Sequence, residues 1–160
     1  MDLDFEELYQ AVILDHSRKP RNFGPMPDAT VTVSGDNPTC GDEVALSLKI
    51  ADGDRLEKVG FTGVACSICT ASTSLMTTKI KGKTRAEAAE LLDAFQSMIT
   101  GKTPESAAPK TLGDLRLLSG VAKFPQRIKC ATLGWHALKG ALAESGSGNF
   151  SLDNNDGAGF

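Results

Sequence analysis

Apolar residues along the chain follow a two-residue period between residues 29 and 63 and a helical period on either side. Three stretches predict β-strands: the β-branched "ATVTVSG" (29–35), the alternating "VALSLKI" (44–50), and "LEKVGFTG" (56–63), which follows an Asp-Gly turn. Strands that are joined by short turns pair with reversed direction. The pattern therefore predicts a three-stranded antiparallel sheet.

Apolar residues three and four positions apart predict helices outside these strands. A first helix covers residues 4–16, a second ends before Gly82, a third begins with a capping box at Thr84, and a last one begins at Pro125. The apolar stretch 115–124 predicts short helical turns. A run of strands followed by helices is typical of an α+β fold, and we expect the helices to pack on one face of the sheet.

The length and composition indicate a single domain with a short tail. A chain of 160 residues with 41% hydrophobic residues is long enough for one core and short for two. We place this domain at residues 1–145. Residues 146–160 are rich in Gly, Ser and Asn, which predicts a disordered C-terminal tail.

The charge balance and the N-terminus exclude several classes of function. The 17 Lys and Arg residues are offset by 20 Asp and Glu residues, so no basic surplus is available to neutralise nucleic acid. The acidic N-terminus does not resemble a signal peptide, and no apolar stretch is long enough to span a membrane. We therefore expect a cytoplasmic protein, in which four cysteines indicate metal binding or thiol chemistry rather than disulfides.

The four cysteines all lie at the ends of predicted elements. Cys40 precedes the second strand, with Asp42 two positions later. Cys66 and Cys69 lie where the third strand gives way to a helix, and Cys130 lies early in the last helix. In an antiparallel sheet the start of the second strand lies beside the end of the third, so Cys40 and Asp42 are expected close to Cys66.

Thiolates and a carboxylate are suitable ligands for zinc, which binds four of them tetrahedrally. Two ligand sets fit the sequence: Cys40, Asp42, Cys66 and Cys130, or four thiolates that include Cys69 in place of Asp42. The single Cys-x-x-Cys pair is a weak signal, because zinc ribbons carry two such pairs and a thioredoxin-like redox pair needs a different fold context. We interpret Cys69 as a small core residue.

At these residues the chain resembles the U-type iron–sulfur cluster assembly proteins. The resemblance covers nearly all of the sequence except the tail. Two features are similar to the zinc-containing SufU branch rather than to the IscU-type scaffolds: the long segment between Cys66 and Cys130, and Lys129 just before Cys130. The resemblance rests on four motifs in family order and spacing: "LYQAVILDHSRKPRNFG", "NPTCGDEV", "CSICTASTSLMT" and "GVAKFPQRIKCATLGWHALKGAL".

The resemblance implies a zinc-dependent sulfurtransferase with Cys40, Asp42, Cys66 and Cys130 as zinc ligands. It implies that Cys40 accepts persulfide sulfur from the cysteine desulfurase SufS, whose histidine displaces Cys40 from zinc, and passes the sulfur to the SufBCD scaffold complex. Arg127 would support this activity. The alternatives are an IscU-type scaffold that binds and transfers a nascent iron–sulfur cluster, and a structural zinc domain without chemistry.

Overall fold

The computed structural model describes residues 5–103, 110–143 and 148–151. These residues form four α-helices, four β-strands and one 3-10 segment. The 3-10 segment is interrupted at Gly113, where the backbone adopts a positive φ of 54°. In chain order the elements are α1 (Phe5–Arg18), β1 (Val31–Asn37), β2 (Asp42–Ala51), β3 (Arg55–Val64), α2 (Ser67–Ile80), α3 (Arg85–Ile99), the 3-10 segment (Lys110–Lys123), α4 (Pro125–Leu142) and β4 (Gly148–Ser151).

The predicted antiparallel sheet of three strands is confirmed. Strand β2 pairs antiparallel with both β1 and β3, and alternate residues of β1 and β2 are buried. This alternation places one face of the sheet against the core, where α4 packs on β1 and β2. The predicted α+β fold, with helices on the buried face of the sheet, is thereby confirmed.

A fourth strand extends the sheet beyond the prediction. Strand β4 pairs parallel with β1, giving the order β3-β2-β1-β4. These four residues lie in the segment that we predicted to be a disordered tail, so the prediction differs from the structure there. The physical reason is the edge of β1, whose backbone N–H and C=O groups offer a place for a further strand. The remaining tail residues lie outside the described residues.

The helix starts agree with the capping signals in the sequence. Thr84 and Glu87 form the complete capping box at the start of α3, and Pro125 occupies the first turn of α4. The first predicted helix extends two residues further than expected, to Arg18. Helices α3 and α4 meet through Phe95 and Trp135, whose buried rings stack with centroids 4.3 Å apart.

No helix within the described ranges is both long enough and apolar enough to cross a membrane.

Candidate metal centre

The turn between β1 and β2 presents Cys40 at its tip. The carbonyl oxygen of Asn37 accepts hydrogen bonds from the backbone N–H groups of Cys40 and Gly41, at 3.2 and 2.9 Å. Gly41 has a φ of +72°, a conformation that favours glycine, and it lets the chain reverse directly into β2. As a result Cys40 is exposed, whereas Asp42, the first residue of β2, is buried.

Pairing of β2 with β3 brings Cys66 to Asp42, as the sequence predicted. Glu43 is opposite Val64 in the ladder, so the chain leaves β3 beside the start of β2. The backbone N–H of Cys66 donates to Asp42 Oδ1 at 2.8 Å, and Cys66 Sγ lies 3.6 Å from Asp42 Oδ2. Cys66 is also the N-cap of α2, where its sulfur accepts the backbone N–H of Cys69 at 3.4 Å.

Helix α4 supplies the remaining thiol. Cys130 Sγ lies 3.4 Å from Cys40 Sγ, although the two residues are 90 positions apart in the chain. The ligand atoms of Cys40, Asp42 and Cys130 all lie within 4.8 Å of one another. Cys66 is not in this group and adjoins it through its contact with Asp42. All four ligands predicted from the sequence therefore lie around one place in the fold.

Two of the distances between these donors are close to those expected around a tetrahedral zinc ion. With zinc bonds of about 2.3 Å to sulfur and about 2.0 Å to oxygen, neighbouring ligands lie about 3.8 Å apart for two sulfurs and about 3.5 Å apart for sulfur and oxygen. The corresponding distances are 3.4 Å between Cys40 and Cys130 and 3.6 Å between Cys66 and Asp42. Thiolates and a carboxylate are also donor types that zinc accepts.

Hydrogen bonding divides the thiols into acidic and non-acidic members. A hydrogen bond from Cys130, assisted by the backbone N–H of Cys69, lowers the pKa of Cys66 to about 7 against the opposing effect of burial. The same hydrogen bond to Cys66, together with burial, raises the pKa of Cys130. The arrangement therefore stabilises negative charge on Cys66 while Cys130 keeps its proton in the metal-free protein.

Cys69 lies in the core beneath the site. Its side chain is fully buried, and burial raises the pKa of its thiol well above the ordinary value. Within the described part of the chain, the converging group of ligand atoms includes Asp42 and does not include Cys69. This placement agrees with the interpretation of Cys69 as a small core residue.

Arg127 lies one helical turn before Cys130 on α4. Its guanidinium group sits 5.0 Å from the centroid of the exposed Phe124 ring, a cation–π contact. Tyr9 of α1 is nearby: burial raises the pKa of Tyr9, and the charge of Arg127 opposes this shift. Tyr9, Phe124 and Arg127 share the lining of a cavity of about 480 Å³.

Sequence reasoning missed Asn37 and Tyr9 at this site. Asn37 is buried on the core face of β1. A polar residue at an inward-facing strand position beside "PTCGD" was the sequence feature that could have identified it. Tyr9 gave only the signal of a helical apolar stripe, which does not distinguish a site residue from a core residue.

Comparison with known proteins identifies relatives that match most of the chain. Residues 8–131 match the family model described as the NifU-like N terminal domain. The chain is 47% identical over 148 residues to the iron–sulfur cluster assembly scaffold protein IscU of Streptococcus pyogenes serotype M1, covering 92% of this chain and 91% of the relative. It is 45% identical over 146 residues to the zinc-dependent sulfurtransferase SufU of Bacillus subtilis, covering 91% and 97%.

Solved structures agree with these relatives. A crystal structure from Fervidobacterium islandicum AW-1, described as an iron–sulfur cluster assembly scaffold protein for the SUF system, is 36% identical with a TM-score of 0.76, covering 86% of this chain and 98% of that one. The N-terminal part of a NifU-like protein from Brucella abortus shares the fold, with a TM-score of 0.69 at 24% identity, covering 84% of this chain and 92% of that one. The chain therefore belongs to the NifU-like N-terminal domain family of iron–sulfur cluster assembly proteins, together with relatives named IscU and SufU.

Proposed function

We propose that this protein is a zinc-dependent sulfurtransferase that accepts persulfide sulfur on Cys40 during iron–sulfur cluster assembly. The observation that carries the proposal is the unequal exposure of the four ligands. Cys40 is exposed at the tip of a turn, Cys66 is half-buried, and Asp42 and Cys130 are buried. A partner protein can therefore reach one thiol while the other three donors stay in the fold.

The transfer is a thiol exchange in which atoms and electrons balance. The Cys40 thiolate attacks the terminal sulfur of a persulfide on the partner, a new bond forms between Cys40 Sγ and that sulfur, and the sulfur–sulfur bond in the partner breaks. The partner's cysteine leaves as a thiolate. Cys40 now carries the persulfide, and no external oxidant or reductant is consumed.

Zinc, when bound by Cys40, Asp42, Cys66 and Cys130, would stabilise the thiolate forms of the cysteines. The four ligand residues would then have different roles. Cys66 is anchored by its backbone N–H to Asp42, and Cys130 is anchored within α4. The exposed turn that carries Cys40 has neither anchor, so Cys40 is the ligand best able to leave the group and attack.

The partners follow from this chemistry. We propose that a cysteine desulfurase of the SufS type supplies the persulfide and that a SufBCD-type scaffold receives it, in the reducing cytoplasm. Arg127 lies one turn from Cys130 and beside the exposed Phe124, where its positive charge can support the negative charge of an incoming persulfide.

Desulfurase stimulation tests this proposal. The wild-type protein should accelerate sulfur release by a SufS-type desulfurase supplied with cysteine, and Cys40→Ser should abolish the acceleration because serine cannot hold a persulfide. Cys69→Ser is the matched control, since it also removes one thiol but lies outside the converging group. Full stimulation by Cys40→Ser would refute the proposal.

A second candidate is a scaffold on which an iron–sulfur cluster is assembled. It is favoured by three thiols in one place, because cluster irons are held by thiolates, and by the similarity to the Streptococcus relative, which is named a cluster assembly scaffold protein. Anaerobic purification separates the two functions. Colourless protein with bound zinc supports the sulfurtransferase, whereas a stable visible chromophore with bound iron supports the scaffold.

A further inference from the structure

The side chain of Asn37 is buried next to the candidate metal centre, and it has no hydrogen-bond partner among the residues that the structure describes. Its exposed fraction is 0%, and neither Nδ2 nor Oδ1 has a partner among the described residues. Buried carboxamides are nearly always hydrogen-bonded, because the group loses its bonds to water on burial. An orphaned carboxamide at this place therefore needs a physical reason.

The position of Asn37 links it to two of the four predicted ligands. In the ladder between β1 and β2 its Cα is directly opposite that of Asp42, which is 1% exposed. Directly opposite residues have Cβ atoms about 4.5–5.5 Å apart and face the same side of the sheet. The carbonyl oxygen of Asn37 also closes the turn that carries Cys40.

We propose that Asn37 is a positioning residue whose side-chain N–H donates to the anionic ligands of the loaded site, at Asp42 and Cys40. This inference rests on the proposed zinc function. A neutral thiol is a weak acceptor, whereas a thiolate, the form in which a metal would hold Cys40, is a strong one. The carboxamide thus lacks a good partner in the metal-free protein and gains one when metal binds, which favours the loaded state.

This role differs from a purely structural one in a measurable way. A structural asparagine stabilises the fold whether or not metal is present, so its loss lowers stability and zinc affinity together. A carboxamide that is unpartnered without metal contributes little to the metal-free fold. Its replacement by an apolar residue of similar shape should therefore leave that fold intact and weaken zinc binding alone.

The test measures zinc affinity and metal-free thermal stability in the same variants. Zinc affinity is determined by competition with a chromophoric chelator, and the unfolding midpoint is determined on protein stripped of metal. Asn37→Leu should lose about tenfold to hundredfold in zinc affinity, the usual cost of losing a partner of a metal ligand. Its metal-free unfolding midpoint should be unchanged or higher. Asn37→Ala should lose zinc affinity to a similar extent, and it tests the same position with a smaller side chain.

Asp36→Asn is the matched control, since it changes the neighbouring residue on the opposite face of β1 and should keep the wild-type affinity. Unchanged zinc affinity in both Asn37 variants, or a parallel fall in affinity and metal-free stability, would overturn the inference while leaving the sulfurtransferase proposal intact. A wild-type protein that binds no zinc would overturn both.

Discussion

At the scale of single residues, the cysteine thiols of the site differ in how exposed they are and in how they are held by the fold. Cys40 has the only exposed thiol of the four cysteines, whereas the thiol of Cys69 is buried in the core. Burial and hydrogen bonding, not residue type, decide which thiol can react. Asp42 adds a carboxylate that is held by the backbone N–H of Cys66, so its orientation is set before any metal binds.

Cys66 should ionise at an unusually low pH in the metal-free protein. Titration followed by thiolate ultraviolet absorbance should show one thiol with a midpoint of about 7, because Cys130 donates a hydrogen bond to its sulfur. Cys130→Ala removes the donor and should raise the midpoint. Cys69→Ala keeps the backbone N–H that also bonds Cys66 and should leave the midpoint in place. An unchanged midpoint in Cys130→Ala would contradict this explanation.

The same ionisation should make stability depend on pH. The pKa of Cys66 is about 7 in the folded protein against an ordinary value of 9.0, so between these values the unfolded chain holds a proton that the folded chain has lost. The free energy of unfolding of the metal-free protein should therefore rise with pH across this window and fall as the pH drops through about 7. Denaturant titrations of Cys66→Ala should lack this rise.

At the scale of elements, the site depends on the close approach of α2 and α4. Cys66 caps the start of α2, and Cys130 lies on α4. The two helices meet at Gly134, where an added Cβ would overlap Thr73 Oγ1 and lie 3.0 Å from Thr73 Cβ. The glycine is needed here for close packing and not for an unusual backbone conformation. The distance between Cys66 and Cys130 should therefore depend on this contact, one helical turn beyond Cys130 on α4.

Gly134→Ala should therefore weaken both the fold and the site. Overpacking of a tight contact costs about 1–3 kcal/mol, and the displaced helix should also lower zinc affinity. Chemical denaturation of the metal-free protein and zinc competition measure the two effects. Gly120→Ala is the control, since an added Cβ there meets nothing within 4 Å. Thr73→Ala should restore much of the loss in the double variant, and failure of this rescue would contradict the packing explanation.

At the scale of the whole molecule, periodicity and capping signals predicted most of the fold. The alternating strands and the start of α3 and α4 follow from local sequence. Strand β4 was missed because "GNFS" has no alternation, and its pairing is decided by the free edge of β1 rather than by its own residues. Tertiary context determined this element.

The site was predictable only in part for a similar reason. Strand order alone places Asp42 beside Cys66, since both lie at the same end of one antiparallel pair. The approach of Cys130 to Cys40 depends on how α4 crosses the sheet, which no local pattern encodes. Cys130 was a candidate ligand because thiolates suit zinc, and the resemblance of "RIKC" to a family motif supported that choice. The orphaned carboxamide of Asn37 is visible only when burial and hydrogen bonds are known.

Zinc-dependent sulfur transfer to Cys40 is tested most directly by a combined metal and mass analysis of one sample. The protein is incubated with a SufS-type desulfurase and cysteine, its zinc content is measured, and each cysteine-containing peptide is examined by mass spectrometry under conditions that preserve persulfides. We expect one zinc per chain and an added sulfur on the Cys40 peptide alone. Protein without zinc, or an added sulfur found only on Cys66, Cys69 or Cys130, would contradict it.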